Sequence, residues 1–182
     1  MRVSRVCLAA SVLAVMYLPH PGAHAGAAQE EGVRYCRFQA GDIIAYGMVE
    51  GDRVRELSGN LFGAWEKTER THALADVKLL VPTTPSKVLA LAGNYKSHIG
   101  NQAPSPHPEV FFKVPSSLVP TGADIVIPPG TDAVHYEAEM VIVIGKRAKD
   151  VPVEGALDCV FGVTCGNDVS ARDWQRNDTQ WW

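Results

Sequence analysis

The stretch EAEMVIVI occupies residues 137–144 and places two carboxylates at the start of a strongly apolar run. An unbroken run of this kind is typical of a strand that is buried on both faces. Glu137 and Glu139 stand two residues apart, and successive side chains of a strand alternate between its faces. We therefore expect both carboxylates on one face, roughly 6.5 to 7 Å apart along the backbone at about 3.3 Å per residue.

Two carboxylates at the entrance of a buried strand predict a bound cation. Removing an ionised carboxylate from water is costly, and two neighbouring carboxylates also repel each other. Asp168 is the expected third ligand, because it follows the apolar stretch 159–166 and precedes a helix start at Ser170. Oxygen ligands favour Mg²⁺, with Mn²⁺ or Ca²⁺ as alternatives. The competing interpretation is a solvated Glu-x-Glu face with Asp168 capping a turn.

The chain divides at a proline-rich segment. Residues 33–81 alternate short apolar stretches with polar turns, which predicts a small β-rich unit with a hairpin at residues 50–52. Pro82 and Pro85 then remove backbone donors and restrict their neighbours, so we place the domain boundary between residues 84 and 85. Further strands are predicted at residues 87–91, 109–113, 124–127, 134–144 and 159–166, with a short helix at 153–158.

The amino-acid composition indicates an ordinary globular protein. The chain has 182 residues, 46% of them hydrophobic and 20% charged, with a formal net charge of −3. These values are ordinary for a globular protein, and the acidic balance argues against a nucleic-acid partner. Among the cysteines after residue 25, no two have zinc-ligand spacing, and we expect all three to be buried small apolar residues.

The first 25 residues have the pattern of an export signal. Arg2 and Arg5 precede an apolar run to Leu18, and the small residues Ala23 and Ala25 flank a cleavage-type position. This apolar run is too short to cross a bilayer of about 30 Å, so we expect cleavage after Ala25 and an exported protein with no membrane anchor. The alternatives are an uncleaved anchor or a misplaced start codon, the latter giving a cytoplasmic protein.

Five segments, taken in order, resemble the fumarylacetoacetate hydrolase family. They are GNYKSH at 93–98, VFFK at 110–113, YEAE at 136–139, VIGK at 143–146 and NDVSARDWQ at 167–175. The resemblance extends from about Tyr35 to the C-terminus. It implies a mainly β, α+β fold, in which residues 85–182 form part of a mixed β-roll and residues 26–84 form the small N-terminal β-rich domain.

The resemblance also implies a function and a set of site residues. Members of the family act on small oxo acids, such as acylpyruvates, by carbon–carbon hydrolysis, decarboxylation or double-bond isomerisation through a metal-stabilised enolate. Hydrolysis is our first hypothesis, and a homodimer is expected for a full-length form. The implied roles are as follows: Glu137, Glu139 and Asp168 as metal ligands, His98 as the base, Lys113 in catalysis, and Gln175 and Tyr95 in substrate binding.

Two departures from the family pattern keep other hypotheses open. Asn101 stands where several relatives have a glutamate that pairs with the histidine, which argues against hydrolysis and leaves isomerase or oxaloacetate-type decarboxylase chemistry open. The family's later Gly-Lys-Ser segment and final strands have no counterpart before Trp182, so we expect an incomplete β-roll and a truncated chain. A catalytically inert metal-binding protein is the third hypothesis. Arg172 and Asp173 are expected to be structural, the first in an ion pair and the second at a helix start.

Overall fold

The computed structural model describes residues 32–177. The predicted signal peptide and the two C-terminal tryptophans lie outside these residues. The first part of the chain forms an antiparallel sheet of five strands in the order β4-β3-β2-β1-β5. Its strands are β1 (Tyr35–Ala40), β2 (Ile43–Glu50), β3 (Arg53–Gly59), β4 (Trp65–Ala73) and β5 (Lys78–Leu79). The predicted hairpin at residues 50–52 is confirmed, with Glu50 opposite Arg53 and Gly51 at a φ of 62°.

The N-terminal sheet packs its core around Phe38 and Val54, whose side chains have no exposed surface. Gly47 on β2 makes this packing possible. A Cβ at Gly47 would lie 2.2 Å from Val54 Cγ1 and 2.9 Å from Phe38 Cε1. A second cluster of Tyr35, Leu57 and Leu61 receives Phe161 from the later part of the chain. The two parts of the chain therefore share an aromatic contact.

A buried carboxylate also joins two strands of this sheet. Glu56 on β3 is 4% exposed and forms an ion pair with Arg70 on β4. His72 Nε2 lies 3.3 Å from the same carboxylate, and its ring packs on Phe38 with centroids 5.1 Å apart. The hydrogen bond from Arg70 lowers the pKa of Glu56, and this effect outweighs desolvation, which acts to raise it.

The remaining strands form three antiparallel pairs. They are β6 (Val88–Ala92) with β7 (Glu109–Lys113), β8 (Val134–His135) with β11 (Ser170–Ala171), and β9 (Ala138–Ile144) with β10 (Val160–Asn167). Two short helices, α1 (Lys96–Ile99) and α2 (Arg172–Asn177), follow β6 and β11. Short 3₁₀ turns cover Leu74–Asp76, Pro115–Ser117, Val153–Gly155 and Leu157–Cys159. Among residues 32–177, no helix has the length and apolar character needed to cross a membrane.

Several local predictions differ from the structure. Residues 124–127 form no strand, the predicted strand 134–144 is interrupted at residues 136–137, and residues 153–158 form 3₁₀ turns rather than one helix. The expectation that 140–144 is buried on both faces is wrong for the described chain, since Met140 is 64% and Ile142 is 52% exposed. The reason is that β9 has a single partner strand within residues 32–177. Of the three cysteines expected to be buried, Cys159 is buried, Cys36 is only partly buried, and Cys165 is exposed.

Candidate functional site

The ends of β9 and β10 bring Glu137 and Asp168 together through the main chain. The Asp168 N–H donates to the Glu137 carbonyl oxygen at 2.9 Å, and the Glu137 N–H donates to the side-chain oxygen of Asn167 at 2.9 Å. The ladder then continues with Asn167 opposite Ala138 and Gly166 opposite Glu139. Residues 137 and 168 are thus fixed next to each other although 31 positions separate them in the chain.

Glu139 lies further along the same strand pair, across from a glycine. Directly opposed residues of an antiparallel pair share a face, and so do residues i and i+2 of one strand. A Cβ placed on Gly166 would lie 3.9 Å from Glu139 Cβ, an ordinary contact, but 2.8 Å from Val141 Cγ2, so the side chain of Val141 is what excludes a Cβ at Gly166. Glu139 therefore lies within β9, while Glu137 and Asp168 lie side by side just beyond the end of the same strand pair.

Glu137 has three polar neighbours. Its Oε1 forms an ion pair with Arg172 and lies 3.8 Å from His98 Nδ1, and its Oε2 accepts a hydrogen bond from Ser170 at 3.1 Å. Partial burial acts to raise the pKa of Glu137, but the hydrogen bonds from Arg172 and Ser170 and the positive charge of Arg172 together lower it by more, so the net shift is downward. Glu137 is therefore held in its ionised form.

Asp168 is paired with a lysine from a different strand pair. Lys113, the last residue of β7, forms an ion pair with Asp168 Oδ1, and the two side chains are 29% and 14% exposed. The ammonium also lies 5.7 Å from the centroid of the Phe111 ring. Lys113 consequently links β7 to the end of β10.

Helix α2 fixes the arginine that contacts Glu137. The Arg172 main-chain N–H donates to the Ala133 carbonyl at 2.8 Å, and its Nη1 donates to Gln175 Oε1 at 2.9 Å. Asp173 accepts from the Thr131 hydroxyl at 2.6 Å, and the Trp174 indole donates to the Gly130 carbonyl at 2.8 Å. The sequence expectation that Arg172 is ion-paired is confirmed, but its partner, Glu137, was not foreseen.

The segment that carries His98 is tied to the edge of β9. The Met140 N–H donates to the Tyr95 hydroxyl at 3.2 Å, and Tyr95 immediately precedes α1. His98 is 54% exposed, with its Nδ1 turned toward Glu137. Of the predicted site residues, His98, Lys113, Glu137 and Asp168 are joined by direct contacts. Gln175 joins them through Arg172, and the substrate-binding roles of Tyr95 and Gln175 stay predictions.

Ser170 is a site residue that the sequence analysis missed. Its hydroxyl donates to Glu137 Oε2 and lies 3.3 Å from the Asp168 carbonyl oxygen. The only signal in the sequence was the capping-box spacing at Ser170, which predicted a helix start rather than a contact with Glu137.

The donor set suits a hard divalent cation, although the side chains are not arranged around one. Three carboxylates on one strand pair supply the oxygen ligands that Mg²⁺, Mn²⁺ and Ca²⁺ prefer. Within residues 32–177, however, no three His, Cys, Asp or Glu side chains converge as a ready ligand group. Two of the predicted ligands, Glu137 and Asp168, are instead held by Arg172 and Lys113. The residues fit the group in chemistry and backbone position, and the metal assignment stays a prediction.

Carboxylates, two basic side chains and a histidine meet at the strand ends of a mainly β chain, and a cluster of ionisable groups of this kind is a candidate enzyme site. The protein-family model "Fumarylacetoacetate (FAA) hydrolase C-terminal" matches residues 87–182, and the protein-family model "Rv2993c-like, N-terminal" matches residues 33–82. The chain belongs to the fumarylacetoacetate hydrolase family, as its motifs predicted.

Three relatives illustrate the similarity. Protein Rv2993c of Mycobacterium tuberculosis is 37% identical over 82% of this chain and 60% of its own length. Oxaloacetate tautomerase fahd2, mitochondrial, of Xenopus laevis is 39% identical over 65% of this chain and 39% of its own. The crystal structure of 2-hydroxyhepta-2,4-diene-1,7-dioate isomerase from Mycobacterium marinum has a TM-score of 0.73 at 37% identity, covering 82% of this chain and 59% of that one. The chain thus spans 60% or less of the length of these relatives.

Proposed function

We propose that this chain carries the acidic site of an enzyme that acts on small oxo acids by moving a proton at the carbon next to a carbonyl group. Keto–enol tautomerisation and double-bond isomerisation are both reactions of this type. The observation that carries the proposal is the contact of Glu137 with both His98 and Arg172, beside the Lys113–Asp168 pair. A base, two cations and three carboxylates therefore lie at the end of one strand pair.

The charges of the site support an anionic, enolisable substrate. A divalent cation bound by Glu137, Glu139 and Asp168 would supply a Lewis acid that stabilises negative charge on the substrate's oxygens. Lys113 and Arg172 lie beside these ligands, in ion pairs with Asp168 and Glu137, and their positive charges would attract a substrate carboxylate. The names of the tautomerase and isomerase relatives agree with this class of substrate.

His98 is the proposed base. Its Nδ1 faces the Glu137 carboxylate, which favours the tautomer with the proton on Nδ1 and leaves Nε2 as the acceptor. In this role, His98 Nε2 takes the proton from the carbon next to the substrate's carbonyl and returns it to the enolate. Asn101 is an amide and supplies no carboxylate beside His98, whereas Glu137 Oε1 lies 3.8 Å from the Nδ1 of this ring.

Hydrolysis of a carbon–carbon bond is the second candidate, and the exposure of His98 favours it. At 54% exposed, this side chain is accessible to a water molecule that it would deprotonate for attack on a carbonyl. Decarboxylation needs only the stabilised enolate and remains the third reaction to be tested.

The test uses the full chain with oxaloacetate and an acylpyruvate, with Mg²⁺ or with a chelator. The rate at which oxaloacetate approaches its keto–enol equilibrium is followed by the absorbance of the enol form. We expect the protein to speed up this process more with Mg²⁺ than with the chelator, and we expect His98→Gln and Asp168→Asn each to slow it by at least about 100-fold. Release of a carboxylic acid from acylpyruvate would support hydrolysis, and release of CO₂ from oxaloacetate would support decarboxylation. Tautomerisation that survives chelation and both substitutions would overturn the proposal.

A further inference from the structure

Two of the carboxylates at the site are already neutralised by basic side chains. Arg172 holds Glu137, and Lys113 holds Asp168. The four side chains are between 14% and 29% exposed, so solvent screens these pairs only partly. From residues 32–177, no hydrogen bond or ion pair reaches the third carboxylate, Glu139. The site therefore contains an internal set of cations as well as the proposed metal ligands.

We propose that Arg172 and Lys113 are exchangeable counter-ions, which hold Glu137 and Asp168 in the metal-free protein and turn to the substrate's carboxylate when a divalent cation takes their place. This inference rests on the proposed function, because it assumes that these carboxylates bind a divalent cation. It adds a substrate-binding role for Arg172 and an order of binding, with the cation before the oxo acid.

The charge of the site explains this order. Glu137, Glu139, Asp168, Arg172 and Lys113 together carry a net charge of −1 when all are ionised. That charge opposes the approach of an anionic oxo acid. With a divalent cation present the same side chains and the cation carry +1, which attracts it. Arg172 and Lys113 would then face a neighbouring positive charge, so each of them is favoured to move to a new anionic partner.

Both basic side chains are held close enough to make this exchange without leaving the site. Arg172 Nη1 remains bonded to Gln175 Oε1, and α2 is anchored by the Asp173 and Trp174 contacts. Lys113 has a flexible aliphatic stem and the Phe111 ring beside its ammonium. We therefore expect the exchange of partners to involve rotation of these two side chains and no movement of the backbone.

The experiment measures two affinities by titration calorimetry at low salt. They are the affinity of the full chain for Mn²⁺ alone, and that of the Mn²⁺-loaded chain for oxalate, a dianion with adjacent oxygens. For Arg172→Gln and Lys113→Gln we expect Mn²⁺ to bind about tenfold more tightly, because one competing positive charge is removed, and oxalate to bind at least about tenfold more weakly. Opposite changes for the two ligands would not arise from loss of structure.

Lys146→Gln is the matched control, since Lys146 follows the far end of β9 and should change neither affinity. Arg172→Lys keeps the charge and should restore wild-type Mn²⁺ affinity. If Arg172→Gln fails to fold, Lys113→Gln carries the test. Mn²⁺ affinity that is unchanged or weaker in the Gln variants overturns the exchange while leaving the metal site intact. If wild type and Asp168→Asn both show no Mn²⁺ binding, the proposed function fails and the exchange fails with it.

Discussion

The main-chain N–H of Asp168 donates a 2.9 Å hydrogen bond to the carbonyl oxygen of Glu137, so these two predicted ligands are fixed by the backbone before their side chains make any contact. The bond extends the ladder between β9 and β10 by one residue beyond the paired positions 138 and 167. A site held in this way keeps its acidic residues adjacent even while their partners change, which the proposed exchange of counter-ions requires.

Asn167 should be the residue that holds the Glu137 backbone in place. Its side-chain oxygen accepts the Glu137 N–H at 2.9 Å, and removal of a single hydrogen bond costs about 1 kcal/mol. We expect Asn167→Ala to reduce kcat/KM for oxaloacetate tautomerisation by roughly fivefold or more. Asn167→Asp keeps an acceptor oxygen at the same position and should lose less activity. Equal loss in the two variants would contradict this role.

The sequence predicted the strands of the N-terminal sheet where alternation and turn residues agree. β1, β2 and β3 lie within residues 33–81, where the alternation predicted a small β-rich unit, and the hairpin at Gly51 has the backbone geometry that glycine allows. β4 was not assigned, because WEKTERTHA has mostly polar residues and takes its strand form from pairing with β3. Tertiary pairing thus overrode a weak local signal.

The candidate site was predictable in its acidic residues but not in its partners. The Glu-x-Glu spacing and Asp168 follow from local patterns, and the structure places them on one strand pair. The pairing of Arg172 with Glu137 and of Lys113 with Asp168 joins residues 35 and 55 positions apart. No periodicity within one segment reports such a contact. The interruption of the predicted strand at residues 136–137 was equally hidden, because residues 134–144 contain no proline or glycine that would signal a break.

Gly47 should tolerate no side chain. The Cβ of an alanine would lie 2.2 Å from Val54 Cγ1 and 2.9 Å from Phe38 Cε1, and both neighbours are fully buried. We expect Gly47→Ala to lower the free energy of unfolding by about 1 to 3 kcal/mol, measured by urea denaturation with intrinsic fluorescence.

Gly63→Ala is the control for this substitution, since the nearest atom to a Cβ there is 3.6 Å away. It should change the free energy of unfolding by less than about 0.5 kcal/mol. The double variant Gly47→Ala/Val54→Ala should lose less free energy of unfolding than the sum of the two single variants, because the methyl group introduced at position 47 and Cγ1 of Val54 compete for the same space. Additive losses would show that the contact with Val54 is not the cause.

Glu56 should make the stability of the N-terminal sheet depend on acid pH. The hydrogen bond from Arg70 lowers its pKa in the folded protein below the ordinary value for glutamate, so the unfolded chain binds a proton at higher pH than the folded one. The resulting stabilisation is fully present above the unfolded-state pKa, and it is lost as pH falls through the lowered folded-state pKa.

For the wild-type chain, we expect the urea concentration at the unfolding midpoint to decrease as the pH is lowered below about 4.5. We expect Glu56→Gln to weaken this pH dependence and to lower the urea midpoint at pH 7. Glu66→Gln, at an exposed position of β4, should leave the pH dependence unchanged. A Glu56→Gln chain with the same slope as wild type below pH 4.5 would show that other carboxylates cause the acid sensitivity.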